Sequence, residues 1–119
     1  MGTQARTVLI AEDDPRLSRS LPEQLQAEGF EPLPVYDGDM ARRAVEHRSF
    51  DLVLLDLSLP GIDGFALCEL IRRKDRNTPV IVLTAFSDID SKLNAFRLGA
   101  DDYLVKPVHF KELLAKIQV

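Results

Sequence analysis

Residues 8 to 15 read Val8-Leu9-Ile10-Ala11-Glu12-Asp13-Asp14-Pro15, an apolar run that ends abruptly in acids and a proline. The run is short, rich in β-formers and free of polar alternation, which predicts a parallel strand covered on both faces. Pro15 suits the first position of a helix, where a missing N–H costs nothing, and it makes Asp14 the predicted N-cap. The same grammar recurs downstream. Leu52-Val53-Leu54-Leu55 ends at Asp56, Val80-Ile81-Val82-Leu83 at Thr84, and Tyr103-Leu104-Val105 at Lys106-Pro107. A further candidate, Phe30 to Val35, carries Pro32 and Pro34. Proline donates nothing to a ladder, so this strand is assigned to the edge of the sheet.

Helical patterns fill the gaps. Leu17, Leu21 and Leu25 recur every fourth residue and stop at Gly29, a candidate C′ glycine. Met40, Ala41, Ala44 and Val45 make a second stripe after the Asp37-Gly38 turn. Phe65, Cys68 and Ile71 make a third, closed by Arg72-Arg73-Lys74, cations suited to a helix C-terminus. Ile89, Leu93 and Phe96 follow a Ser87-Asp88-Ile89-Asp90 capping box, and Phe110, Leu113, Leu114 and Ile117 form the last stripe. Strand and helix alternate five times, so the expected fold is α/β, a doubly wound five-stranded parallel sheet with five helices. Pro22 disagrees locally. Inside a helix it removes a hydrogen bond and crowds the carbonyl of Ser18 at about 3 kcal/mol, which predicts a kink or split between those residues.

The 119 residues suffice for one domain with its own core and are too few for two, so residues 1–119 are read as a single domain. A net charge of −4 argues against a basic face that grips nucleic acid. The single cysteine, Cys68, allows no internal disulfide and suits a reducing compartment. No apolar run approaches the length of a bilayer span, and Met1 to Thr7 lacks a signal core. A cytoplasmic protein without membrane contact is expected. The last helical pattern reaches Val119 without a C-cap, so the chain is expected to continue in a longer protein.

In an open parallel sheet the C-terminal strand ends share one edge, where ligands bind. Glu12-Asp13, Asp56, Thr84 and Lys106 are all delivered there. Singly each has a plain structural use: carboxylates complement helix N-termini, a threonine ends a strand, a lysine is solvated. Together, oxygens beside an ammonium suit a hard divalent cation and a phosphoryl group. Three carboxylates, one Mg²⁺ and one ammonium cancel in charge, whereas the carboxylates alone repel and raise at least one pKa. Asp56, flanked by Leu52–Leu55 and Leu57-Ser58-Leu59-Pro60-Gly61, is costly to bury unless paired. A carboxylate so placed can accept a phosphoryl group as an acyl phosphate.

These residues, with Leu54-Leu55-Asp56-Leu57-Ser58-Leu59-Pro60-Gly61-Ile62-Asp63-Gly64, Val82-Leu83-Thr84-Ala85 and Gly99-Ala100-Asp101-Asp102-Tyr103-Leu104-Val105-Lys106-Pro107, resemble the receiver domain of bacterial two-component response regulators. The likeness covers residues 6 to 119 and is greatest to the OmpR/PhoB type. It implies a flavodoxin-like sheet of order 2-1-3-4-5, with Asp56 as phosphoacceptor from the phosphohistidine of a sensor histidine kinase. It implies Mg²⁺ held by Glu12, Asp13, Asp56 and the backbone carbonyl of Ser58. Lys106 then meets a phosphoryl oxygen and joins Pro107 through a cis bond, Thr84 is the switch hydroxyl, and Tyr103 is the ring that turns inward behind it.

The same likeness implies a homodimer through the fourth helix, fifth strand and fifth helix, with Lys92, Asp102, Glu112 and Lys116 among its charges. Gln118 stands where a basic residue is usual, and Val108 where an aromatic is. A winged-helix DNA-binding domain outside this chain is implied, with no nucleic-acid contact by the receiver itself. Such a domain is a signalling switch and not an enzyme, catalysing only its own phosphorylation and dephosphorylation. Ser58 and Phe86 are expected to tune phosphoryl lifetime, Phe86 by shielding the acyl phosphate from water. An aspartyl phosphatase needs a second acid two residues after its nucleophile, and that position holds Ser58. A binding module that is never phosphorylated has no need of the full set of acids, hydroxyl and lysine. A nucleotide site is not expected, since no Gly-rich loop ends in Gly-Lys-Ser/Thr.

Overall fold

In the computed structural model, which describes residues 6–85, 89–97 and 99–117, strands and helices alternate along the chain. They are β1 (Thr7–Ala11), α1 (Pro15–Ala27), β2 (Glu31–Val35), α2 (Gly38–His47), β3 (Leu52–Asp56), α3 (Gly64–Lys74), β4 (Val80–Thr84), α4 (Ile89–Arg97), β5 (Asp102–Val105) and α5 (Phe110–Ile117). All strand pairs are parallel and the order is β2-β1-β3-β4-β5. The proline-bearing strand β2 is at the edge, as its missing donors require.

The apolar runs serve two cores at once, because successive side chains of a strand point to opposite faces. Val8, Ile10, Leu52, Leu54, Ile81, Leu83 and Leu104 pack with Leu21 and Leu25 of α1 and Leu113 of α5. Leu9, Ala11, Val53, Leu55, Val80, Val82 and Tyr103 pack with Ala41, Val45, Leu67, Cys68, Ile71 and Ala95 from α2, α3 and α4. That division places the site, since each strand's last residue inherits its face from the alternation.

Helix ends follow local chemistry. Asp14, Asp37 and Asp63 cap α1, α2 and α3 by accepting the N–H groups of Arg16, Met40 and Phe65 at 2.9, 2.8 and 2.9 Å. Gly29 (φ 90°) and Phe30 close α1 by donating to Gln26 O and Leu25 O, each at 3.0 Å. Two of the cations that end α3 reach beyond their own helix. Arg72 donates to Gly99 O at 2.7 Å and pairs with Asp101 at 2.6 Å, and Lys74 donates to the carbonyls of Val45 and Arg48.

Three expectations need correction. Helix α1 is not split at Pro22 but runs as one helix from Pro15 to Ala27. Leu21 and Leu25 beside it are fully buried, and at about 1.5–3 kcal/mol each they offset the proline. Met40 of the second stripe is exposed. Helix α4 turns Ile89, Leu93 and Phe96 outward, 68%, 53% and 40% exposed, while among its described residues Ala95 is buried. Hydrophobic period gives the helix but not which of its sides meets the sheet. The Ser87-Asp88 part of the capping box, Phe86, Gln118 and the start from Met1 to Ala5 lie outside the described residues.

Candidate metal and phosphoryl site

Glu12 follows β1, Asp56 ends β3 and Lys106 follows β5. By the strand alternation they continue Ile10, Leu54 and Leu104, which share the α1/α5 face, so their side chains meet. Lys106 Nζ lies 3.0 Å from Glu12 Oε2, 2.9 Å from Glu12 Oε1 and 3.1 Å from Asp56 Oδ2. Glu12 is fully buried and Asp56 is 2% exposed. Backbone bonds fix each anchor: Glu12 N–H donates to Val35 O at 3.1 Å and Lys106 N–H to Thr84 O at 2.7 Å. The Lys106-Pro107 bond is cis, as the resemblance implied.

The carboxylates are unequally satisfied. Asp56 Oδ1 accepts the N–H of Ser58 at 2.8 Å while Oδ2 takes the ammonium. Glu12 Oε2 accepts from Asp14 N–H at 2.9 Å and from Lys106. Glu12 Oε1 sits 2.9 Å from the ammonium nitrogen and is buried without a hydrogen bond. Burial pushes the Glu12 carboxyl up to about 7, against the opposing pull of Asp14 N–H and Lys106, and neighbouring Asp56 adds to the rise. For Lys106 burial pulls down, but Glu12 and Asp56 outweigh it and hold the ammonium above its ordinary range.

Asp13 is exposed at the mouth of the site, and one oxygen from each of Glu12, Asp13 and Asp56 lies within 4.8 Å of the others. An all-oxygen donor set with one buried lone pair unengaged fits a hard divalent cation better than a soft one. Glu12, Asp13 and Asp56 would hold such a cation, which would screen the carboxylates from one another and from an incoming phosphate.

Thr84 and Tyr103 are buried on the other face of the sheet, the Thr84 position following Val82. The Tyr103 ring packs against Phe96 with centroids 6.5 Å apart, and Lys92 Nζ lies 5.9 Å from its centroid. Of the outer charges, Lys116 and Asp102 pair within the chain at 3.1 Å, while Lys92 and Glu112 are exposed. A concavity of about 640 Å³ lies at the opposite edge between Arg6, Phe30 and Lys116. Three of the acids lining it, Asp51, Asp101 and Asp102, are engaged by strand N–H groups or basic side chains. Sequence reasoning missed one contact on the loop that follows Asp56: Gly38 N–H donates to Pro60 O at 2.6 Å, a backbone contact without a side-chain signature.

Residues 8–118 match the family model described as response regulator receiver domain. The chain is 40% identical over 118 residues to the DNA-binding response regulator MtrA of Mycolicibacterium smegmatis, covering 99% of this chain and 51% of that protein. It therefore spans about half the length of the curated relatives it matches. Among solved structures it is similar to the receiver domain of sensor histidine kinase PA1611 from Pseudomonas aeruginosa PAO1 (TM-score 0.86, 32% identity, 96% and 95% of the two chains). That structure has a magnesium ion coordinated in its active site cleft. It is also similar to the response regulator TrrA of Thermotoga maritima in complex with Mg²⁺-BeF (TM-score 0.84, 35% identity, 95% and 96% of the two chains). Sheet order, carboxylate pocket and sequence likeness converge: this chain belongs to the response regulator receiver domain family.

Proposed function

We propose that Asp56 accepts a phosphoryl group from the phosphohistidine of a sensor histidine kinase. In this reading Mg²⁺ is held by Glu12, Asp13, Asp56 and the Ser58 carbonyl. The observation that carries it is Lys106 Nζ lying within hydrogen-bond reach of both Glu12 and Asp56, three strands' ends gathered on one point. The cation, when bound, neutralises the carboxylates and the incoming phosphoryl oxygens. A carboxylate oxygen of Asp56 forms the new O–P bond as the P–N bond of the phosphohistidine breaks, and the imidazole leaves with the electron pair. Ser58 N–H holds Asp56 in orientation, and Lys106 passes from pairing carboxylates to pairing a phosphoryl oxygen. Positioning and charge neutralisation supply the catalysis. Water returns Asp56 to its free state, so the domain turns over only its own acyl phosphate.

The acyl phosphate biases a two-state equilibrium in which the Thr84 hydroxyl engages the phosphoryl group and the Tyr103 ring secures its inward position. The readout is a homodimer through α4, β5 and α5. Ile89, Leu93, Phe96 and Val105 give that face an exposed apolar strip, with Lys92, Asp102, Glu112 and Lys116 around it. Its relatives are OmpR/PhoB-type regulators about twice as long. Residues 1–119 are thus read as the receiver domain of a cytoplasmic transcription regulator whose effector domain binds DNA. Labelling with acetyl phosphate tests the reading: the wild type takes up phosphate in a Mg²⁺-dependent way, and Asp56→Asn takes up none while keeping its fold. Equal labelling of Asp56→Asn contradicts it.

A further inference from the structure

We infer that Gly38, the first residue of α2, is a positioning residue for the carboxylate pocket. Its bare Cα lets α2 clamp the loop that follows Asp56. The inference rests on the proposed reading that Ser58 in this loop helps to hold Mg²⁺. The loop leaves β3 at Asp56 and reaches α3 at Asp63. Leu57 and Leu59 are buried, which leaves Ser58 between them exposed with its N–H on Asp56 Oδ1. The path of the loop therefore decides how the Ser58 peptide faces the pocket.

That path is set from outside the loop. Gly38 N–H donates to Pro60 O at 2.6 Å. A Cβ on Gly38 would lie 2.2 Å from Ile62 Cγ2, 2.4 Å from Ile62 Cβ and 2.6 Å from the Ile62 backbone nitrogen. Rotating the Ile62 side chain relieves at most the first of these, so either the loop or α2 has to move. Gly61, at φ 92°, brings the chain across this contact. Asp37 caps α2 through Met40 N–H at 2.8 Å, so the helix end is itself fixed and the loop is the part that yields. Backbone meets backbone, and the fit depends on a hydrogen at position 38.

The test compares wild type, Gly38→Ala and Gly29→Ala. Gly29 has a positive φ, which Gly38 does not, and a Cβ there meets nothing within 4 Å, so its substitution strains the backbone without a steric clash and away from the loop. Gly38→Ala is expected to weaken Mg²⁺ binding, followed by amide NMR titration, by roughly 10- to 100-fold, as for groups that orient metal ligands. It should also speed hydrogen exchange at Ser58 N–H in Mg²⁺-free buffer, while Gly29→Ala changes neither. If Gly38→Ala does not fold, Ile62→Ala, which uncovers the clamp and keeps its hydrogen bond, should show a several-fold loss and faster Ser58 exchange. Unchanged affinity and unchanged Ser58 exchange in the folded variant would overturn the inference, as would an equal effect of Gly29→Ala. A wild type that binds no Mg²⁺ sinks the proposed function instead, and Ser58 exchange in the cation-free protein still decides the clamp.

Discussion

The two edges of this sheet both carry aspartates, and they use them oppositely. At the N-terminal edge the strands present free N–H groups. Asp51 accepts from Thr7 N–H at 2.7 Å, and Asp101 accepts from Val80 N–H at 2.7 Å while pairing with Arg72. Those carboxylates are exposed, satisfied and structural. At the C-terminal edge the strands present carbonyls, already engaged at Val35 and Thr84 by Glu12 and Lys106 N–H groups. Carboxylates gathered there find few donors and must share one ammonium. Parallel strands thus sort a single residue type into a cap at one edge and a cation-binding group at the other.

Removing the shared ammonium should break this contrast most. Lys106→Met leaves Glu12 and Asp56 buried without their cation, and urea unfolding in Mg²⁺-free buffer at pH 8 should show a loss of about 3 kcal/mol. Asp101→Ala strips Val80 N–H and Arg72 of an acceptor at the other edge. The same assay should show a loss of about 1–2 kcal/mol, with Mg²⁺ binding by NMR unchanged.

The pH response separates the edges further. Glu12 has a folded pKa of about 7 against an ordinary 4.5, so between those values the folded state holds more protons than the unfolded one. This contribution to stability is fully present below the ordinary value and is lost as pH rises through about 7. Mg²⁺-free melting curves should therefore show a falling midpoint over that window, and added Mg²⁺ should reverse the fall at its upper end. The smallest effect belongs to Lys116→Ala. Its pair with Asp102 is about one-third exposed, so the loss by urea unfolding should stay under about 1 kcal/mol and shrink in salt.

Much of this arrangement was legible in the residues. Pro32 and Pro34 placed β2 at the edge because a missing donor has only one tolerable position in a sheet. The acids, hydroxyl and lysine were found because each ends an apolar run. Which of them meet was also countable: Glu12, Asp56 and Lys106 fall in step with Ile10, Leu54 and Leu104, whereas Thr84 falls in step with Val82. Other features left no such trace. Pro22 reads as a breaker because the burial of Leu21 and Leu25 that overrides it is a tertiary fact. The stripe Ile89, Leu93 and Phe96 has helical period whether it faces the sheet or solvent. The Gly38 contact with Pro60 is made by backbone atoms, which every residue shares.

The most direct test is an amide NMR titration of the wild-type chain, first with Mg²⁺ and then with beryllofluoride, comparing the two sheet edges in one experiment. The account predicts large shifts at Glu12, Asp13, Asp56, Ser58, Thr84 and Lys106, with Thr7 and Val80 at the capped edge nearly unmoved. Spectra that stay unchanged, or that shift equally at both edges, would contradict it.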